Sequence, residues 1–93
     1  MYRVLYAKEV LEQDLPSILG PWKTEIRNVI EKKLAIKPMV YTRPLKRSLK
    51  GYRKLRVEEY RIVLRIEENN IVKVFVIQHR SIVYTTASSR VQE

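Results

Sequence analysis

Apolar and polar residues recur with two different periods along the chain, and each period predicts one kind of secondary structure. Residues 2–7 are mostly β-branched and aromatic, which favours an opening strand. Residues 8–19 place leucine and isoleucine at helical spacing, and Pro16 limits or kinks this first helix. Residues 21–36 predict an amphipathic helix that ends at Lys37-Pro38. Its apolar stripe consists of Trp22, Ile26, Val29, Ile30 and Leu34.

Three strand-like segments follow a basic loop that contains two prolines. The loop, residues 37–51, has five basic residues, no acidic residue and no apolar period. Strands are predicted at 52–57, 60–67 and 71–78, with turns at Glu58-Glu59 and Asn69-Asn70. Turns this short join antiparallel neighbours, so these strands form a meander. Residues 81–93 become small and polar, so we expect a partly frayed tail without a C-terminal helix.

The predicted order of elements is β-α-α-β-β-β in a single domain that spans residues 1–93. The opening strand joins the sheet of the meander, because a strand needs a partner for its backbone. The two helices then bury their apolar stripes on the same face of that sheet. This is an α+β fold with an antiparallel sheet and two helices packed on one face.

Charge is the most informative property of the composition. Nineteen Lys and Arg residues oppose ten Asp and Glu residues, which gives a net charge of +9 and a pI near 10.0. So large an excess on 93 residues favours a polyanionic partner, with nucleic acid or ribosomal RNA first and an acidic protein second.

Several classes of protein are disfavoured by what the sequence lacks. No cysteine is present, which excludes disulfides and thiolate metal sites. Arg3 and Lys8 interrupt the apolar N-terminus, so it does not resemble a signal peptide. No apolar segment approaches the roughly 18 residues that span a membrane. We therefore expect a cytoplasmic protein without membrane, metal or cofactor.

Alternation along the three meander strands places their basic residues on one face and their apolar residues on the other. The basic set consists of Lys54, Arg56, Arg61, Arg65 and Lys73. A wet face of a sheet normally carries Lys and Arg, which is the simplest interpretation. Because this set contains almost no acid, and like charges across a ladder are destabilising, we favour an anion-binding face.

Four segments together resemble the RelE branch of the RelE–ParE toxin superfamily. They are KEVLEQDL, EIRNVIEKKL, GYRKLRVEEYRIVLRI and HRSIVY, and the resemblance extends from Tyr2 to Tyr84. It implies a type II toxin that enters the ribosomal A site and cleaves mRNA there. It also implies a cognate antitoxin, which we expect to be acidic and to fold on binding.

The resemblance also implies which residues act on RNA. Lys54 and Arg56 match the two basic positions before the Tyr-Arg pair, Arg61 matches the arginine of that pair, and Arg80 and Tyr84 match the last segment. Arg53 can exchange roles with Lys54. His79 is shared by only some relatives, and the resemblance does not identify the general base. Further RNA contacts are expected from Arg53, Arg65, Lys73, Lys46, Arg47 and Lys50, for which plain solvation or packing is the alternative.

The expected reaction is attack by a ribose 2′-hydroxyl on its own 3′-phosphate, without a metal. Arg61 and Arg80 would hold the phosphate, since a guanidinium matches its geometry. Lys54 can act as the base if repulsion from neighbouring arginines favours its neutral form. Tyr84 or His79 would protonate the leaving oxygen.

Two other functions remain compatible with the sequence. A ParE-type toxin would share the fold but bind DNA gyrase, and it would not need the basic residues or Tyr84. A degenerate member would bind an antitoxin or RNA without cutting.

Overall fold

A computed structural model describes residues 1–91 and places five strands in one sheet, in the order β1-β5-β4-β3-β2. The strands are β1 (Arg3–Tyr6), β2 (Arg43–Pro44), β3 (Arg53–Val57), β4 (Tyr60–Glu67) and β5 (Ile71–His79). The predicted α+β class is confirmed, and β4 has the predicted bounds. The two-residue strand β2 lies within the segment that was expected to be a loop.

The sheet is mixed because its first strand runs parallel to its last. β1 pairs with β5 in parallel, whereas β3, β4 and β5 form the predicted antiparallel meander. The turns are sharp: Glu58, Asn69 and Asn70 have φ angles of 55°, 64° and 56°. Asparagine tolerates this left-handed conformation, which explains the turn after β4.

The predicted helices are present with changed ends. The first is a short helical segment built from a π turn at Val10–Asp14 and a 3₁₀ turn at Leu15–Ser17. The second, α1 (Gly20–Val29), widens into a π turn at Ile30–Leu34. A one-turn helix, α2 (Pro38–Tyr41), follows. The backbone N–H of Ala35 bonds to the Ile30 carbonyl, which closes the second helix before the predicted end at residue 36.

These helices cover one face of the sheet and enclose the larger core. Ile26, Ile30 and Leu34 of the predicted stripe are buried there, whereas Trp22 and Val29 are only partly buried. They pack against Leu55, Val57, Ile62, Leu64, Val72, Val74 and Ile77 of the sheet. Burial at this core, and secondarily the Glu31 carboxylate, raises the pKa of the Tyr6 phenol.

The opposite face is not open, because a third helix, α3 (Val83–Arg90), packs on it. The expectation of a frayed tail without a helix is wrong for these residues; Gln92 and Glu93 lie outside the described residues. Thr and Ser are weak helix formers, but Val83 and Ala87 are fully buried one turn apart. Tertiary packing therefore stabilises a helix that the local sequence does not predict.

A β-bulge changes which residues of β5 reach α3. The register between β4 and β5 shifts after the pair Val63–Val76, so that Leu64 pairs with Val74. Phe75 is thus the extra residue, and alternation resumes one position later. Regular alternation, which predicts all apolar residues of the meander strands on one face, is therefore wrong for Val76. It packs in the α3-side core, whereas Val72 and Val74 lie in the larger core.

A buried ion pair fastens α3 to the first helical segment. Arg90 donates from both terminal nitrogens to the Asp14 carboxylate at 2.8 Å, and also to the Phe75 carbonyl at 3.0 Å. Asp14 additionally accepts from the Ile77 backbone N–H and the Gln78 amide, both at 2.9 Å. The hydrogen bonds that Arg90 donates to Asp14 raise the pKa of Arg90.

Of the helices within residues 1–91, none combines the length and the apolar character required to cross a membrane.

Candidate nucleic-acid interface

The centre of the candidate site is a group of three basic side chains on the α3 side of the sheet. Register places Lys54 opposite Val63 and Arg56 opposite Arg61, so all three basic residues share one face. Within residues 1–91 none of the three forms an ion pair with an acidic side chain. The concentrated positive charge is therefore available to an anion.

Helix α3 brings an aromatic ring to this group. Tyr84 lies on its first turn, and the ring centre is 6.0 Å from Lys54 Nζ. Val83 and Ala87 are the α3 residues that are buried against the sheet, and their packing fixes the helix that carries the ring. The structure thus joins Lys54 and Tyr84, which are 30 residues apart in the sequence.

Two arginines each bond to residues at the turn between β3 and β4. Arg61 Nη1 donates to the backbone carbonyls of Glu58 at 2.8 Å and Tyr60 at 2.9 Å. The Arg80 backbone N–H donates to the Glu59 carbonyl at 2.8 Å, and Arg80 Nε lies 3.2 Å from Glu59 Oε1. More than half of the Arg80 side chain is exposed. We call Lys54, Arg56, Arg61, Arg80 and Tyr84 the basic cluster.

The structure does not bring His79 into the basic cluster. His79 pairs with Tyr60, and the two rings are 6.0 Å apart on the face that α1 covers. The Ser81 backbone N–H donates to His79 Nδ1 at 3.2 Å, and the Ser81 hydroxyl lies 2.9 Å from the same atom. Of the two candidate acids, only Tyr84 adjoins Lys54.

Arg65 and Lys73 form a separate group at the other end of the α3-side face. Arg65 lies 5.3 Å from the ring centres of Tyr52 and Phe75, and its Nη2 is 2.6 Å from Glu67 Oε2. Lys73 also lies over Phe75. The prediction that these basic residues share one face is confirmed by the register, but apolar Val63 and Val76 beneath α3 divide them into two groups.

The remaining predicted RNA contacts lie in two places, at the start of β3 and in the loop before it. Arg53 donates from Nε to Thr42 Oγ1 at 2.6 Å and from Nη2 to the Thr42 carbonyl at 2.9 Å. These bonds anchor the chain after α2. Because they engage the Arg53 guanidinium, Arg53 is not placed to exchange roles with Lys54. The exposed loop charges are Lys46, Arg47 and Lys50. Buried Leu49 fixes their loop against the α3-side core.

Sequence reasoning missed Arg43. This exposed residue pairs with Lys54 across β2 and β3, which extends the row of positive charge by one strand. The acid-free composition of residues 37–51 was the available signal. A two-residue strand, however, has no alternation from which a face can be predicted.

The basic cluster has the functional groups for phosphate chemistry. Its guanidinium groups can donate paired hydrogen bonds to phosphate oxygens, and Lys54 with Tyr84 can exchange protons with a bound substrate. Among residues 1–91, no three acidic or histidine side chains come together as metal ligands.

Residues 22–84 match the model of the family described as ParE toxin of type II toxin–antitoxin system, parDE. A search of the curated proteins gave no match.

Solved structures share the fold at low sequence identity. A chain of the toxin–antitoxin complex RelBE2 from Mycobacterium tuberculosis is 24% identical with a TM-score of 0.79, over 85% of this chain and 98% of that one. For the RelB–RelE antitoxin–toxin complex from Methanococcus jannaschii, identity is 22% and the TM-score 0.64, over 88% and 96%. For the YoeB–YefM complex from Staphylococcus aureus, identity is 19% and the TM-score is 0.56, over 86% of this chain and 98% of that one.

Proposed function

Because the chain belongs to the ParE toxin family of type II toxin–antitoxin systems, we propose that it is the toxin and that it cleaves mRNA on the ribosome. The basic cluster carries this proposal. Three of its cations share one sheet face without an acidic partner among residues 1–91, and one of them, Lys54, adjoins the Tyr84 ring. A purely structural surface would be expected to mix charges of both signs.

The proposed reaction is an internal transesterification of the RNA backbone. The ribose 2′-oxygen forms a bond to the adjacent phosphorus, and the bond from phosphorus to the 5′-oxygen of the next nucleotide breaks. The products are a 2′,3′-cyclic phosphate and a 5′-hydroxyl. One proton leaves the 2′-hydroxyl, and one proton is delivered to the departing 5′-oxygen.

Each of these tasks has a residue in the basic cluster. Arg61 and Arg80 each bond to residues of the β3–β4 turn, and we propose that they bind the phosphate and stabilise the charge that develops on its oxygens. Lys54 would accept the 2′ proton, and Tyr84, next to Lys54, would donate the proton to the 5′-oxygen. Each proton transfer is typically worth about 10²–10⁴-fold in rate.

The open shape of the surface supports the proposed dependence on the ribosome. Arg56 and Arg80 are exposed, so the basic cluster can bind phosphate but does not enclose a nucleotide. Orienting the 2′-oxygen in line with the leaving oxygen accounts for a large part of such rate enhancements. We propose that mRNA held in the ribosomal A site supplies this orientation.

A cleavage assay with stalled ribosomes and end-labelled mRNA tests the proposal. We expect cleavage in the A site by the wild type, none on naked mRNA, and loss of about 10²-fold or more for Lys54→Ala, Arg61→Ala and Tyr84→Phe. Lys32→Ala is the matched control, because it removes one exposed positive charge from a helical turn on the other face. Equal activity of all variants, or no cleavage by a folded wild type, would exclude the proposed mechanism.

We also propose an antitoxin as the partner. The family is defined by toxin–antitoxin systems, and the similar structures described above are toxin–antitoxin complexes. A net charge of +9 favours an acidic partner that folds on binding.

Inhibition of DNA gyrase is the second candidate, favoured by the description of the matching family as ParE toxin. A supercoiling assay run beside the cleavage assay distinguishes the two. Blocked supercoiling without mRNA cleavage would favour gyrase inhibition.

A further inference from the structure

Exposed apolar side chains are concentrated on α2 and the residue pair before it. Nine large apolar residues within residues 1–91 are well exposed, and four of them fall within six consecutive positions. Ile36, Met39, Val40 and Tyr41 are 48%, 58%, 71% and 44% exposed. We call these four residues the α2 patch. Single exposed apolar residues are ordinary, but a contiguous group commonly marks an interaction surface.

The α2 patch is held in place by buried neighbours. Pro38 and Thr42, at either end of α2, are buried, and Thr42 Oγ1 donates to the Pro38 carbonyl at 2.7 Å. Arg53 in β3 fixes Thr42 through two hydrogen bonds. The patch is therefore presented by a braced turn, and a partner would lose little affinity in ordering it.

The charge around the α2 patch selects the chemistry of its partner. Residues 32–43, which include the patch, contain four Lys and Arg residues and no Asp or Glu. Lys33 Nζ lies 5.3 Å from the Tyr41 ring centre. Exposed Lys37 lies between Ile36 and Met39 in the sequence, and exposed Arg43 follows the patch. An apolar centre with a positive rim is complementary to a segment that carries apolar and acidic side chains together.

We propose that the α2 patch is the docking surface for an acidic, apolar segment of the antitoxin. The inference rests on the antitoxin partnership proposed above and adds where that partner binds. A second copy of this chain is a poor occupant, because a twofold contact would bring two lysine rims together. Arg53 ties the patch to the start of β3, whereas Arg61 and Arg80 lie at the turn after its end. The docking surface and the two phosphate-binding arginines therefore lie towards opposite ends of β3.

Matched apolar-to-acidic substitutions test the docking surface. Val40→Glu and Met39→Glu change the patch, whereas Leu19→Glu makes the same change at a residue of similar exposure, 69%, outside it. The probe is the protein encoded beside the toxin gene, titrated against each variant by calorimetry. We expect affinity to fall at least about tenfold for both patch variants and to stay within about threefold for Leu19→Glu. Equal affinities would overturn the proposal.

The positive rim has its own test. Lys33→Glu and Lys37→Glu should weaken antitoxin binding about tenfold or more at low salt, with a smaller effect of Lys8→Glu, an exposed lysine near the N-terminus. All patch and rim variants should retain the ribosome-dependent cleavage of the wild type. Their cleavage is measured without antitoxin, so failure of the proposed activity and failure of the docking surface are separate results.

Other occupants of the patch are detected directly. If sedimentation of the isolated protein shows a dimer, and Val40→Glu abolishes it, the occupant of the patch is a second copy of this chain and not the antitoxin. Binding to anionic lipid vesicles that depends on Val40 would assign the patch to a membrane surface. Either result, with unchanged antitoxin affinity, overturns the proposal.

Discussion

Arg56 and Arg61 face each other across β3 and β4, although like charges in that position destabilise a sheet. Arg61 partly relieves the repulsion by bonding to carbonyls of the β3–β4 turn. Arg80 instead lies against the Glu59 carboxylate, in a pair that is more than half exposed. Exposed pairs contribute at most about 1 kcal/mol, so a phosphate can displace Glu59 from Arg80 at little cost.

The positions of two candidate acids lead to a prediction at this scale. Tyr84 adjoins Lys54, whereas His79 contacts Tyr60 and Ser81 on the other face. We expect Tyr84→Phe to lower the rate of ribosome-dependent cleavage by about 10²–10⁴-fold and His79→Ala to lower it by less than about tenfold. Single-turnover rates at saturating ribosome measure this difference. A larger loss for His79→Ala would assign the acid to His79.

At the scale of the elements, one ion pair determines where α3 lies. The Asp14 side chain is fully buried, and the Arg90 side chain is 12% exposed. Asp14 also accepts the Ile77 N–H of β5. The same carboxylate therefore joins the first helical segment, the sheet and the helix that carries Tyr84.

Breaking this pair should cost far more than breaking an exposed one. We expect Asp14→Ala to lower the free energy of unfolding by about 3–5 kcal/mol, because it leaves the Arg90 charge and the Ile77 N–H without their acceptor. Glu59→Gln, which breaks the exposed pair with Arg80, should cost less than about 1 kcal/mol. Urea denaturation followed by circular dichroism compares them. Similar losses for the two variants would show that Asp14 does not hold α3.

Elements with a local sequence pattern were predicted correctly. Elements whose structure depends on residues distant in the sequence were missed. The alternation of β4 and the stripe with Ile26, Ile30 and Leu34 led to the observed strand and helix. Helix α3 was missed because its stability comes from burial of Val83 and Ala87 and from Asp14, 76 residues before Arg90. The bulge at Phe75 was missed because a single extra residue has no signature in an apolar strand.

The same distinction applies to the candidate site. Alternation correctly placed Lys54, Arg56 and Arg61 on one face, because β3 and β4 are regular there. It also placed Arg65 and Lys73 on that face, which the register confirms, but it did not predict that Val63 and α3 separate them from the other three. The separation of His79 from Tyr84 depends on register at the end of β5 and on a helix that was not expected.

For the molecule as a whole, positively charged side chains lie on both sides of the sheet, on the helices as well as in the basic cluster. The net charge of +9 attracts any polyanion, and this attraction does not depend on which side chains bear the positive charges. Direct phosphate contacts differ from this general attraction because each one releases condensed counterions, and the salt dependence of binding counts them. Salt titration can therefore separate the basic cluster from the remaining lysines and arginines.

We expect binding of a short single-stranded RNA to weaken linearly in log–log coordinates as salt increases. Arg56→Ala should reduce the slope by roughly 0.7, the value for one phosphate contact on a single strand, whereas Lys32→Ala should leave the slope nearly unchanged. Both variants remove one positive charge from an exposed position, so overall electrostatic attraction changes equally. Fluorescence anisotropy at several salt concentrations provides the slopes. Equal slopes for the two variants would mean that RNA responds to the net charge alone, and that Arg56 makes no contact of its own.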